Sequence, residues 1–262
     1  MDAFPKISLV TPSYNQAAFL ERTIRSVLDQ EYPALEYMIV DGGSADASVA
    51  TIKKFAPTLA YWISERDGGQ PEAINKGLRR ATGEIMGWLN SDDTLPPGSL
   101  HRIAKIYREH PDVDLIYGHT CLIDADDRII KRLVAVPTSA HELIRYNRNV
   151  WSQPGTTWRR RLQEKIGLLD ESLHYTMDND FWIRSALGGT IHCAPYHLGN
   201  LRIHSRTKSS RSVDGFSREH LILDEKYGAE HRDRVHRFLF KSQRILRALT
   251  SPRTIVFYFG GG

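Results

Sequence analysis

The 262-residue chain is 41% hydrophobic and 25% charged, an ordinary composition for a water-soluble globular protein. Its net charge of +4 is too small to indicate a nucleic-acid partner, and its two cysteines lack the spacing of a zinc knuckle or disulfide framework. The amino terminus has no apolar signal core, and no stretch is apolar enough to span a membrane. We therefore expect a cytoplasmic protein that does not bind nucleic acid.

The first hundred residues alternate short apolar runs with amphipathic stretches. Strands are predicted at residues 7–10, 36–40, 60–63 and 84–89, with helices between them. This alternation is typical of a mostly parallel sheet covered by helices. Polar residues and glycines follow each strand, at the sheet edge where such folds bind ligands.

The second half of the chain is less regular. Its predicted elements are short strands at residues 115–118, 122–123, 128–130, 191–193 and 201–203, and a helix that begins near Asp178. We expect a mixed or antiparallel extension of the sheet here.

Two adjacent carboxylates, Asp92 and Asp93, follow the fourth predicted strand. Neighbouring anions repel each other, so they favour a divalent cation between or beside them, although a solvated turn has the same composition. The chain has no G-x-x-x-x-G-K-[ST] motif and no G-x-G-x-x-G motif after its first strand, which argues against a kinase, an ATPase or a dehydrogenase. The remaining way to bind a diphosphate is through a metal ion held by Asp92 and Asp93.

Five motifs, in this order, resemble those of the inverting family 2 glycosyltransferases. They are Val10 to Asn15, Val40 to Asp46, Asp67 to Gly77, Asn90 to Asp93 and Met177 to Arg184. The resemblance implies an α/β fold of the GT-A type, with a Rossmann-like, mostly parallel central sheet, a mixed acceptor-side extension and a C-terminal helical tail. It divides the chain into a nucleotide-sugar half (1–110), an acceptor half (111–226) and a tail (227–262).

The resemblance also implies roles for single residues. Donor contacts fall to Thr11, Pro12, Tyr14, Asp41, Asp67, Gln70 and Asp92, and metal ligation to Asp93, Asp92 and His204. The implied cofactor is Mn²⁺ or Mg²⁺, and Asp41 beside the base suits the imide of uracil and hence a UDP-linked sugar. For His204, a solvated surface position is an equal alternative.

Asp178 is the implied general base, because inversion requires an acceptor hydroxyl to lose its proton opposite the departing diphosphate. Asp180 is the rival base, and helix capping is the alternative role for both. Met177 stands where the family often has Glu. Trp151 and Trp158 are candidates for an acceptor wall or for the core.

Two basic segments follow. Lys208 and Arg211 belong to a polar loop that we expect to close over the diphosphate. Residues 232–253 contain seven basic residues and one acid, interleaved with apolar ones. This pattern predicts an amphipathic helix that lies on an anionic membrane or packs on the main domain.

The sequence thus predicts a metal-dependent inverting glycosyltransferase for polysaccharide biosynthesis. It would transfer a sugar from a nucleotide-diphospho-sugar to a hydroxyl of a glycan or lipid-linked acceptor, with possible peripheral membrane contact. A sugar-phosphate nucleotidylyltransferase would need a glycine-rich loop after the first strand, where Thr11 to Tyr14 stand. The other alternative is a non-catalytic adaptor at the membrane surface, with a degenerate transferase fold.

Overall fold

A computed structural model of the protein describes residues 4–146, 151–205, 207, 213–229 and 257. Within these residues, an eight-stranded sheet carries helices on both faces. The predicted α/β class with a mostly parallel central sheet is confirmed. Predicted tail residues 232–253, together with Lys208 and Arg211, lie outside the described residues.

The described elements alternate as the sequence predicts in the first half of the chain. The strands are β1 (Ile7–Ser13), β2 (Leu35–Asp41), β3 (Tyr61–Ser64), β4 (Ile85–Trp88), β5 (Leu115–Ile123), β6 (Ile129–Leu133), β7 (Thr157–Arg159) and β8 (Ile191–Arg202). The helices are α1 (Leu20–Leu28), α2 (Ser48–Phe55), α3 (Gln70–Arg80), α4 (Ser99–Glu109), α5 (Ala140–Tyr146), α6 (Arg160–Ile166), α7 (Met177–Gly188) and α8 (Val213–Tyr227). Among these helices, none is both long and apolar enough to cross a membrane.

The sheet joins the two predicted halves of the chain. Strands β3, β2, β1 and β4 are parallel neighbours in that order, and β7 then pairs antiparallel with both β4 and β5. Strand β5 continues antiparallel to β6 and parallel to β8. The predicted mixed extension is therefore present, and it shares one sheet with the parallel strands.

Side chains of the central strands alternate between two apolar layers. On β2, Tyr37 and Ile39 pack in the layer formed with α1, α2 and α4, whereas Met38 and Val40 pack in the layer formed with α3 and α7. A strand covered on both faces can be apolar at successive positions, which explains the continuous run at 38–40. The two layers hold the carboxyl ends of β1 to β4 at a fixed edge.

The prediction of separate short strands was wrong in two places. Residues 115–123 form one strand, and so do residues 191–202. The pairing of β5 with β8 shifts register around His119, so an irregularity is absorbed without ending either strand. Polar residues around the register shift interrupt the apolar pattern, and the sequence analysis therefore predicted strand ends there. At Gly118, an added Cβ would come within 2.7 Å of the Tyr196 carbonyl, so glycine permits the close approach.

Candidate functional site

The polar residues that follow the parallel strands meet at the carboxyl edge of the sheet. They border a cavity of about 170 Å³. Its lining includes Pro12, Tyr14, Asp67, Gln70, Asn90, Asp92 and Asp93. We call this the small cavity. It brings together residues from three of the five sequence motifs, as expected for ligand binding at the carboxyl ends of parallel strands.

Of the residues predicted for the nucleoside pocket, two border the small cavity and one is buried beside it. Pro12 and Tyr14 border the small cavity, and the Tyr14 side chain is 64% exposed and open to stacking. Thr11 is fully buried, and its hydroxyl hydrogen-bonds with the Tyr37 hydroxyl at 2.9 Å. Thr11 thus packs inside the sheet next to the residues that border the small cavity. Its predicted contact with the donor remains a prediction.

Asp41 shapes the loop after β2. Its Oδ2 accepts from the Gly43 and Ser44 N–H groups at 3.1 and 2.9 Å and from the Ser64 hydroxyl at 2.7 Å. Its Oδ1 accepts from the Ser44 hydroxyl at 2.6 Å. Gly43 has a φ of +79°, a left-handed conformation that glycine adopts without strain. The buried carboxylate organises this loop, and its predicted contact with a base stays a prediction.

Asp67 lies close to the backbone of the same loop. An added Cβ on Gly42 would come within 2.9 Å of Asp67 Oδ2, so a larger residue at this position would displace the Asp67 carboxylate. Burial raises the pKa of Asp67, and the Gly69 N–H that its carboxylate accepts only partly offsets this. Asp67 borders the small cavity as predicted for a donor-binding residue.

The two adjacent carboxylates after β4 have different environments. Asp93 is 1% exposed, and its oxygens accept from the Arg202 backbone N–H at 2.8 Å and the Asn90 amide at 3.1 Å. Burial, and then the nearby charge of Asp92, raise the pKa of Asp93 well above its ordinary value. Asp93 therefore fastens the end of β8 to the loop, in addition to bordering the small cavity.

Asp92 pairs with His204. The two side chains approach to 3.0 Å between Oδ2 and Nε2, and the imidazole packs on the Phe19 ring with centroids 4.5 Å apart. The His204 side chain is 7% exposed, so the alternative of a solvated surface histidine is wrong. A residue from the late part of the chain thus reaches the predicted metal site.

Arg202 holds this arrangement together. Its fully buried guanidinium donates to the Asp92 carbonyl at 2.6 Å and to the Asp124 carbonyl at 2.7 Å, and it forms an ion pair with Asp127. It also lies over the Phe19 ring. The sequence analysis predicted no role for Arg202, which lies two residues before His204.

The donor set suits a hard divalent cation in part. Among the described residues, no three His, Cys, Asp or Glu side chains form a metal-ligand group. Asp92 and His204 offer one oxygen and one nitrogen as candidate ligands, and Mg²⁺ or Mn²⁺ commonly completes its shell with substrate phosphates and water. Ligation by Asp93 would compete with the two hydrogen bonds that its carboxylate accepts.

A second, larger cavity of about 490 Å³ adjoins the small one. We call it the large cavity. The two share Gln70, Asn90, Leu201 and Thr207 in their linings. At this shared wall, the Gln70 amide donates to Asn90 Oδ1 at 2.7 Å. A ligand in the small cavity would therefore reach the large one past Gln70.

Asp178 and Asp180, the two candidates for the base, are separated by the structure. Asp178 borders the large cavity, whereas Asp180 is fully buried. Asp180 accepts from Arg184 at 2.8 Å, from Lys226 at 2.7 Å and from the Tyr227 hydroxyl at 2.6 Å. Burial acts to raise the pKa of Asp180, but these partners outweigh it and hold the pKa below its ordinary value. Asp180 is therefore held in a structural ion-pair cluster, whereas Asp178 is accessible to a ligand in the large cavity.

The aromatic candidates are core residues in both cases. Trp151 and Trp158 are buried, and Trp151 also borders the large cavity. Met177, which stands where the family often has Glu, is buried beside Asp178 and borders the same cavity. Trp151 and Met177 thus contribute apolar surface to the cavity that Asp178 also borders.

Comparison with known proteins identifies the family. The model of "Glycosyl transferase family 2" matches residues 8–177, which is more than half of the chain. The chain belongs to glycosyl transferase family 2. The prediction of a glycosyltransferase enzyme is confirmed at the level of the family, which favours it over the nucleotidylyltransferase and adaptor alternatives.

The relatives and solved structures agree with this. An uncharacterized glycosyltransferase of Nostoc sp. is 31% identical over 207 residues, covering 75% of this chain and 61% of that protein. Residues 1–349 of S. aureus TarS, in complex with UDP-GlcNAc, superpose with a TM-score of 0.66 at 18% identity, covering 96% of this chain and 75% of that one. The mannosyltransferase PcManGT of Pyrobaculum calidifontis, with GDP-Man and Mn²⁺, gives a TM-score of 0.64 at 18% identity, covering 98% and 74%. The chain spans less than two thirds of the Nostoc relative, and the two structures support the fold.

Proposed function

We propose that the protein is a metal-dependent inverting glycosyltransferase that uses a nucleotide-diphospho-sugar, with UDP as the nucleotide. The acceptor is a hydroxyl of a glycan or a lipid-linked molecule. The observation that carries the proposal is the pair of adjoining cavities, with Asp92 on the small one and Asp178 on the large one. The named complexes of TarS with UDP-GlcNAc and of PcManGT with GDP-Man and Mn²⁺ support a donor of this class.

In this proposal the small cavity holds the nucleoside diphosphate and the large cavity holds the sugar and acceptor. Tyr14 offers a stacking face to the base, and Gln70 at the shared wall orients the sugar. The acceptor oxygen attacks the anomeric carbon while the bond to the diphosphate breaks, and the diphosphate leaves with the bonding electrons. Asp178 takes the proton of the acceptor hydroxyl.

Asp92 and His204 would hold the divalent cation. Bound there, the cation would offset the negative charge that grows on the departing diphosphate. The residues of the chain supply the remaining work: they bind the nucleotide, keep Gln70 beside the sugar and place Asp178 on the acceptor side. Displacement from the face opposite the leaving group inverts the anomeric configuration.

Calorimetric titration tests the donor site. We expect UDP to bind the wild-type protein about tenfold more tightly with Mn²⁺ than without it, and more tightly than GDP. Asp92→Asn should remove the Mn²⁺ effect because it takes away the charged oxygen ligand. Asp126→Asn is the matched control, because Asp126 is an exposed carboxylate in the β5–β6 turn.

Two results would contradict the proposal. Equal UDP affinity with and without Mn²⁺ in the wild type would refute the proposed metal dependence. Failure to bind either nucleotide would refute the proposed donor site. If GDP bound more tightly than UDP, the enzyme class would stand but the assigned nucleotide would be wrong.

A further inference from the structure

Helix α8 lies outside the region matched by the family model, yet it contacts the segment that presents Asp178. The family match ends at residue 177, and α8 begins at residue 213. Phe216 of α8 borders the large cavity and packs against Tyr175 with ring centroids 5.1 Å apart. Leu223 of the same helix is buried in the core layer that contains α7.

Glu219 of α8 binds the backbone immediately before α7. Its carboxylate accepts from the N–H groups of His174, Tyr175 and Thr176 at 2.8, 2.7 and 2.7 Å, and from the Thr176 hydroxyl at 3.0 Å. Glu219 is itself a buried residue. A carboxylate with this many donors is strongly oriented, because burying the charge without them would be costly.

The carboxylate of Glu219 binds the N–H groups of the three residues that precede α7, whereas a capping side chain would bind those of its first turn. Thr176 is the residue before the helix, and its side chain makes no capping hydrogen bond to the described helix. Instead, the Thr176 hydroxyl donates to Glu219. The backbone that leads into α7 is therefore held by α8, and within the first turn Asp178 Oδ1 accepts from the Asn179 N–H at 2.8 Å.

The far end of α8 holds the same turn at a second point. Lys226 and the Tyr227 hydroxyl both donate to Asp180 Oδ1, at 2.7 and 2.6 Å. Burial, and then the hydrogen bond to Asp180, raise the pKa of Tyr227, so this hydroxyl stays protonated and remains a donor. Asp178 lies between the two anchored positions, Thr176 and Asp180.

We propose that α8 is a positioning element for the general base: Glu219 and Tyr227 hold the first turn of α7 so that Asp178 projects into the large cavity. This inference rests on the proposed role of Asp178. Neither residue touches the donor or the acceptor in this scheme. Their effect on the reaction is through the placement of the Asp178 carboxylate, and displacement of a catalytic group by about 1 Å costs on the order of 10²-fold in rate.

The test uses the full chain and follows UDP release from nucleotide sugars. A panel of UDP-glucose, UDP-galactose and UDP-GlcNAc first selects the sugar that the wild type hydrolyses fastest, with water as acceptor. Glu219→Gln keeps the shape of the side chain but removes its charge. Tyr227→Phe removes one hydroxyl. Glu225→Gln, an exposed position on the same helix, is the control.

We expect kcat to fall about tenfold in Glu219→Gln and about threefold in Tyr227→Phe, with the donor KM and the UDP dissociation constant changed by less than about twofold. The control should match the wild type in all three. A purely structural cap would lower the unfolding temperature and leave kcat of the folded protein unchanged, and that result would overturn the inference. If Glu219→Gln does not fold, the test rests on Tyr227→Phe. A wild-type kcat in Tyr227→Phe would then overturn the proposed role of α8.

The variant Asp178→Asn distinguishes a failure of the proposed base from a failure of the proposed role of α8. If it retains wild-type UDP release, the base is assigned wrongly and this inference fails with it. If Asp178→Asn loses activity while the α8 variants keep theirs, the proposed base stands and the role of α8 alone is refuted.

Discussion

Replacing Asp178 and Asp180 in turn by asparagine distinguishes a catalytic carboxylate from a structural one. Asp178 borders the large cavity, and its change to an amide removes the group that accepts the proton. General-base catalysis contributes about 10² to 10⁴-fold, so we expect kcat to fall by this factor in Asp178→Asn. The free energy of unfolding should change by less than about 0.5 kcal/mol, as for other substitutions that leave buried contacts intact.

Asp180→Asn should have the opposite profile. The substitution leaves Arg184 and Lys226 without the buried anion that they share. Breaking a buried ion pair costs about 3 to 5 kcal/mol, but Lys226 is partly exposed, and solvent reduces the loss to about 2 to 3 kcal/mol. The loss should also depend on pH. The pKa of Asp180 is held below its ordinary value, so its contribution is full near neutral pH and fades as the pH falls through the lowered pKa.

Urea unfolding and UDP release from the selected nucleotide sugar measure the two effects on the same preparations. Activity is compared below the unfolding midpoint of each variant, where the fraction of folded protein is known. The reasoning is refuted if folded Asp180→Asn is inactive while Asp178→Asn keeps wild-type kcat. It is also refuted if Asp178→Asn loses as much stability as Asp180→Asn, because Asp178 would then be a structural residue.

Two further predictions concern stability and the membrane. Burial acts to raise the pKa of Glu36, but hydrogen bonds from Lys6, Ser8 and Thr82 outweigh it and lower the pKa from 4.5 to about 2. Glu36→Gln should therefore cost about 2 kcal/mol at pH 7, discounted for the exposed lysine, and the difference from wild type should shrink as the pH falls from 4.5 towards 2. Urea unfolding at several pH values measures this, and a difference that grows on acidification would contradict it. Removal of residues 232–262 should weaken sedimentation with anionic liposomes if the basic segment binds membranes, and unchanged sedimentation would leave packing on the domain as its role.

The sequence predicted the sheet well wherever apolar runs and polar breaks alternate cleanly. β1 to β4 and the position of their polar ends follow from this pattern alone. It failed at β5 and β8, because His119 and His197 place polar groups inside continuous strands. Their pairing depends on a register shift between distant segments, and a local pattern contains no information about that.

The site was predictable by residue but not by environment. The resemblance gave Asp92, Asp93 and His204 as candidate metal ligands, and the structure places Asp92 beside His204, while ligation itself stays a prediction. The burial of Asp93 against the Arg202 backbone joins positions more than a hundred residues apart. Glu219 was missed for a similar reason: a single glutamate in an amphipathic helix gives no sign that it binds three backbone N–H groups of another segment.

The two carboxylate pairs of the site follow the same physical rule. In each pair the first member, Asp92 or Asp178, borders a cavity, and the second is almost fully buried, although Asp93 also borders the small cavity. The buried members bind later parts of the chain: Asp93 the end of β8, and Asp180 the end of α8. A buried carboxylate with fixed donors costs too much to move, so it holds its neighbour in place as well. The proposed metal ligand Asp92 and the proposed base Asp178 are thereby held in place by segments from residue 202 onward. Substitutions at those anchors should therefore alter catalysis without touching either substrate.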